Sequence, residues 1–288
     1  MTMTTNAAII SAADRVVTAH AGALRPLTAI GRSTVAAPPT VEAGLTAALH
    51  LIDAKPALDA SVTDLLRVLI DSGISSTKLA RLMSIRHSSL TARLDAPTPE
   101  SPTTAELHLG MFRRKDRVSI RAARESLITA AAALGRTYAS ALRPISTVSQ
   151  GAVPEAATVD AALEAVLHLH RSRAALDGAL DPILAALVLG GVRRMSLAEA
   201  LGVHPNTLQR RLMGQPLAHA RHADLIDDGE GRWSVTRAEV GRYKPVEELD
   251  EALVAAAVAE AISGIQETAP SVRVREESAT VPQSDGRF

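Results

Sequence analysis

The sequence predicts a mostly α-helical protein built from two tandem copies of one unit, each ending in two short helices and a small β-hairpin. Three observations predict it. First, Ala47-Ala-Leu-His-Leu51 returns as Ala165-Val-Leu-His-Leu169, Ala57-Leu-Asp59 as Ala175-Leu-Asp177, and Leu24-Arg-Pro26 as Leu142-Arg-Pro144, each 118 residues later. The register runs without a gap through Gly73/Gly191, Leu79-Ala80/Leu197-Ala198, Leu90/Leu208 and Arg93-Leu94/Arg211-Leu212. Second, alanine and leucine, both helix formers, dominate a chain with only two Phe, two Tyr and one Trp. The core is therefore aliphatic. Third, apolar alternation around turn residues follows the short helices of each copy, the pattern of a hairpin.

The elements follow in order. A helix over about residues 7–24 precedes copy one. Thr40 and Thr158 read as N-caps of amphipathic helices, the latter before Val159-Asp-Ala-Ala-Leu-Glu-Ala-Val-Leu-His-Leu169. A further helix begins at Asp181-Pro182, a cap followed by proline at the first helical position. It ends at Gly190-Gly191, and its counterpart ends at Gly73. Two short helices come next. In copy two they are Ser196-Leu-Ala-Glu-Ala-Leu-Gly-Val-His-Pro-Asn-Thr-Leu-Gln-Arg-Arg-Leu212, with Gly202 free to take a left-handed turn conformation and Pro205 opening the second helix. Ala198 is small where the helices cross, Val203 fills the space between them, and Leu208 and Leu212 face the core. In copy one, Ser84 stands at the turn glycine's position.

Hairpins are predicted from Ala223-Asp-Leu-Ile226 to Arg232-Trp-Ser-Val235, with Trp233 in the hairpin core, and from Ala105-Glu-Leu-His-Leu109 to Arg117-Val-Ser-Ile120. The tip of the first, Arg113-Arg-Lys115, is basic; that of the second is acidic. Ala-rich helices over residues 121–142 and 246–265 follow the hairpins. The stripe Val254, Val258, Ala261, Ile262, Ile265 packs on its own domain or makes a dimer. Residues 34–39 and 97–104 read as loops, and 268–288 as disordered. The predicted domains are residues 1–122, residues 123–245, a C-terminal helix over 246–267 and the tail.

The short helices of copy two resemble the bacterial helix-turn-helix, and with their hairpins both copies resemble tandem winged-helix DNA-binding proteins of bacteria, plasmids or phages. The resemblance implies a double-stranded DNA partner, with the second short helix entering the major groove. Asn206, Gln209 and Arg210 of copy two point outward and suit adenine and guanine edges. His87, Ser88 and Thr91 are their shorter counterparts in copy one. Lys78, Arg86, Arg93, Arg113, Arg114, Lys115, Arg194 and Arg211 are candidates for phosphate contacts.

The formal net charge is zero, but residues 1–244 carry +6 and the segment from Pro245 onward −6. The charge balance therefore reflects an acidic extension on a basic body. The absence of cysteine excludes disulfides and thiolate chemistry. No apolar run reaches a membrane span, and the Thr-rich start has no basic n-region, so a cytoplasmic, nucleoid-associated location is expected. No phosphate loop, dinucleotide fingerprint or nucleophile context is present. No enzyme activity, cofactor, metal or small-molecule ligand is expected. His168 matches His50 across the repeat and reads as a core or capping residue, and His219-x-x-His222 lacks a supporting acid. The leading expectation is a sequence-specific transcriptional regulator. A replication initiator, partition-site binder or excision factor is the alternative, and a helical protein-binding scaffold stands outside the DNA class. A homodimer through the Ala-rich or C-terminal helices is compatible with each.

Overall fold

The computed structural model describes residues 3–96, 109–151, 158–220 and 223–237. These lie in one compact body within residues 1–238. It is mostly helical, with one two-stranded antiparallel sheet among the described residues. Copy one contains α1 (Met3–Gly31), α2 (Val41–Asp53), α3 (Lys55–Asp71), α4 (Ser76–Leu82) and α5 (His87–Asp95). Copy two contains α6 (Arg117–Gln150), α7 (Val159–Ala179), α8 (Asp181–Leu189), α9 (Arg194–Ala200) and α10 (Pro205–Leu212), followed by β1 (Ala223–Gly229) and β2 (Arg232–Arg237).

Cap and turn hydrogen bonds recur at equivalent positions in the two copies. Thr40 and Thr158 cap α2 and α7, each hydroxyl accepting from a backbone N–H at 3.1 Å. After α4, the N–H groups of Met83, Ser84 and Ile85 donate to Leu79, Arg81 and Ala80; after α9, those of Leu201, Gly202 and Val203 donate to Leu197, Glu199 and Ala198. The six-to-one bond closes a Schellman turn in both. Ser84 adopts φ 55° where Gly202 adopts 63°, so serine is held in the left-handed conformation that glycine favours.

The copies differ where proline falls. Pro56 and Pro182 each sit two residues past a helix break, at Ala54 and Leu180. Proline cannot donate the bond that would continue the preceding helix, so the break moves by eight residues between copies. Asp181 is not the cap expected at the second break; Leu180 occupies the cap position. Proline does not end α1 or α6, however. Both helices run on past Pro26 and Pro144, longer than the predicted 7–24 and 121–142.

The second expected hairpin is present, paired Leu225↔Val235 with an irregularity between Asp227 and Gly229. It docks on α6: the Trp233 indole N–H donates to Glu125 at 2.9 Å, and Arg121 bridges Glu125 and Asp227. Trp233 is thus a packing residue, as expected. The first hairpin is corrected. Arg117-Val-Ser-Ile120 opens α6, because the Asp116 carboxylate accepts from the Ser119 N–H and hydroxyl, both at 2.7 Å. Leu109–Met111 is a single 3-10 turn, and residues 105–108 lie outside the described residues. So do the expected loop at 97–104, the helix over 246–265 and the tail. The predicted division at 122/123 falls inside α6.

The core is aliphatic. Every residue of α8 from Ile183 to Leu189 is buried, as expected of a helix that is apolar all round. Gly31 at the end of α1 approaches Ala132, and Ile10 near its start approaches Gly151, just past the end of α6. The two helices therefore run antiparallel. Lys55 donates to Asp177 at 2.7 Å, and Arg173 pairs with Asp59. Positions 55 and 173 are equivalent, as are 59 and 177, so the second pair is the first with the copies exchanged. Helix packing exchanges in the same way: α1 meets α7 as α6 meets α2, and α3 meets α7 as α2 meets α8. A translation would not return such reciprocal pairs, whereas a two-fold relation does.

Candidate nucleic-acid interface

The short helices leave a polar face outward in both copies. On α10, Leu208 and Leu212 are buried while Asn206, Gln209 and Arg210 are exposed. The His204 side chain caps the helix, accepting from the Asn206 N–H at 3.2 Å. On α5, Leu90 is buried while His87, Ser88 and Thr91 are exposed. Thr91 turns its hydroxyl back to the His87 carbonyl, and the His87 ring meets the Ser76 hydroxyl at 3.0 Å. Copy one's outward side chains are therefore shorter and partly occupied by local bonds.

Three of the arginines expected at phosphates are engaged inside the fold. Arg93 donates to the Thr63 hydroxyl at 2.9 Å and the Asp59 carbonyl at 3.3 Å. Burial lowers its pKa below the usual arginine value. Arg211 donates to the Asp181 carboxylate at 2.8 Å and the Asp177 carbonyl at 2.9 Å. These are one clamp repeated, tying α5 to α3 and α10 to the α7–α8 junction. Asp181 serves this clamp rather than capping its helix. Arg194 donates to the Ala218 carbonyl. The geometry gives all three a structural role.

Lys78 and Arg86 are exposed, and neither makes an ion pair or side-chain hydrogen bond among the described residues. Arg81 and Arg193, which the pattern reading missed, are likewise exposed on or beside the short helices. Alternation of Arg81 with buried Ala80 was a usable signal; Arg193 had none.

Arg113, Arg114 and Lys115 lie elsewhere than expected. They do not tip a hairpin of copy one. The segment pairs with the turn before α9: Arg113 N–H donates to Gly191 at 2.7 Å, Arg193 N–H to Met111 at 2.8 Å, and Phe112 bridges to Val192. A Cβ on Gly191, at φ 110°, would stand 2.5 Å from the Arg113 carbonyl, so glycine permits this approach. The basic triplet thus borders copy two's short helices.

The histidines are corrected too. His50 and His168 are exposed rather than in the core. His219 bonds to the Leu212 carbonyl at 3.0 Å at the end of α10, and His222 lies outside the described residues. Among the described residues no cluster of three His, Asp or Glu is placed to hold a metal, and no helix is long and apolar enough to cross a membrane. No family model matches the chain, and no curated protein or solved structure matches it.

Proposed function

We propose that the protein binds double-stranded DNA in a sequence-specific manner as a transcriptional regulator, through two helix-turn-helix units, α4–α5 and α9–α10. The observation that carries this reading is the division of labour among the polar residues. Arg93, Arg194 and Arg211 are consumed in the fold, while Lys78, Arg86, Asn206, Gln209 and Arg210 stay outward on or beside the second helix of each unit or its partner. Asn206 lies in the first turn of α10 and Gln209 and Arg210 in the next, and Asn, Gln and Arg exposed on such a helix suit base edges. Lys78, Arg81 and Arg86 suit phosphates on copy one; Arg193 and the Arg113–Lys115 segment suit them on copy two.

The reciprocal ion pairs favour two half-sites in inverted orientation. The two outward faces differ, so the half-sites differ as well, with copy two reading more of the sequence. The acidic hairpin is docked on α6 and has no part in this contact. Retardation assays across a salt series test the reading. Arg210→Ala should relax preference at one base pair and cost about 1–3 kcal/mol there, whereas Lys78→Ala should weaken all sequences alike and lower the salt slope by about one. DNA binding that is absent or insensitive to salt overturns the proposal and leaves the protein-scaffold reading.

A further inference from the structure

A cavity of about 320 Å³ lies between the two copies. It is at the lower end of the range of about 300–1,000 Å³ that small-molecule sites occupy. Equivalent residues of both copies line it: Leu58 with Leu176, Asp59 with Asp177, Lys55 with Arg173, and His20 with Tyr138. It therefore sits where the two-fold relation brings the copies together.

Two polar side chains in it keep unused hydrogen-bonding capacity. Tyr138 is 6% exposed, and its hydroxyl makes no hydrogen bond among the described residues. His20 is 5% exposed and spends only Nδ1, which donates to the Val16 carbonyl at 2.8 Å. That bond fixes the tautomer and leaves Nε2 as a bare acceptor. The two rings stand 6.2 Å apart between centroids. The sealed side-chain atoms without a partner among the described residues are Asn6 Oδ1, Asp53 Oδ2 and Ser126 Oγ, so the Tyr138 hydroxyl and His20 Nε2 keep contact with the cavity's solvent, which a ligand offering the complementary groups replaces. Val62, Met83, Val166 and Leu169 form an apolar stretch of wall, interrupted by Arg93 and by His170, whose Nε2 is spent on the Met83 carbonyl at 2.9 Å. At the mouth the cations are already matched by carboxylates, Lys55 by Asp177 and Arg173 by Asp59. Arg93, the third cation of the lining, shares Asp59 at 3.6 Å and donates to the Thr63 hydroxyl, so each charged side chain is already engaged within the fold.

We propose that this cavity binds a small uncharged molecule with an apolar body and an adjoining acceptor and donor, the chemistry of a primary amide. The carbonyl accepts from Tyr138, the amide N–H donates to His20 Nε2, and the body lies on the leucine and valine wall. Burial supports these roles: it holds Tyr138 protonated, with its pKa pushed up to about 12, and it lowers His20 below the usual histidine value.

The test uses the full chain without DNA, so its failure is separate from failure of the DNA reading. Benzamide, benzoate and benzylamine are titrated by calorimetry, with thermal unfolding in parallel. Benzamide should bind saturably and raise the melting temperature. Benzoate and benzylamine should bind at least tenfold more weakly. Tyr138→Phe keeps the ring and removes the donor; it should weaken benzamide about fivefold to tenfold while unfolding cooperatively. His20→Gln, which retains an acceptor, should weaken it less. No saturable binding of benzamide overturns the proposal. So does equal binding of the charged probes, or unchanged affinity in Tyr138→Phe.

Discussion

Ser84→Gly should stabilise the protein, and Gly202→Ser should destabilise it. Ser84 holds φ 55° at the turn between α4 and α5, and Gly202 holds φ 63° at the equivalent turn. An L-residue in that region costs about 1–2 kcal/mol. Glycine returns about 0.4–1 kcal/mol of this through the greater freedom of the unfolded chain. The net gain at Ser84 is therefore about 0.5–1 kcal/mol, with a loss of similar size at Gly202. No packing term intrudes: a Cβ at Gly202 meets nothing within 4 Å, and Ser84 is exposed without a side-chain hydrogen bond among the described residues. For a chain of this size the shift is about 1–4 °C in melting temperature. Thermal unfolding followed by circular dichroism reads it, and the double variant should melt near the wild type. A lower melting temperature for Ser84→Gly would refute the reasoning, since the two turns would then not share a left-handed residue.

Other consequences follow from the clamps, the buried histidine and the hairpin. Arg211→Ala should cost about 1.5–3 kcal/mol in urea unfolding, because a charged hydrogen bond to the half-buried Asp181 is lost. Asp177→Asn, at an exposed ion pair, should cost less than about 1 kcal/mol; a reversed order would count against the clamp. Burial lowers the pKa of His20, with the charge of Arg173 adding to it. Stability should be complete above 6.5, the ordinary histidine value, and fall with pH between there and the lower folded value, because the unfolded chain takes up the proton first. His20→Gln should flatten that window in urea titrations. Trp233, the single tryptophan, reports hairpin docking: Glu125→Ala should shift its emission to the red, while Glu125→Gln, which keeps an acceptor oxygen, should not.

Much of this architecture is legible in sequence because it depends on local chemistry. The caps at Thr40 and Thr158, the turn at Gly202 and the hairpin around Trp233 use residues close in the chain. The first hairpin misled because Val118 and Ile120 fit a strand as well as a helix; Asp116 and Ser119, three apart, decide for the helix. Arg93 and Arg211 resemble phosphate ligands because an arginine's partner is invisible until the fold is closed. Their signal was the repetition of the arginine itself, since the clamps take the backbone carbonyls of Asp59 and Asp177 and the unlike side chains of Thr63 and Asp181. Surface contacts are free to diverge between copies, whereas an internal clamp must keep its arginine. The pairing of His20 with Tyr138 had no sequence signal, since they meet only when α1 and α6 pack antiparallel. The placement of Arg113–Lys115 beside copy two depends in the same way on a backbone bond to Gly191.

The most direct test of the central claim is in vitro selection of DNA from a random pool with the full chain, followed by sequencing. Two unlike half-sites should be enriched in inverted orientation, with centres one helical turn, about 10 bp, or a multiple of it apart. The half-site whose preference Arg210→Ala relaxes should be the better defined. No enrichment would contradict DNA recognition, and two half-sites in direct orientation would contradict the two-fold relation between the copies.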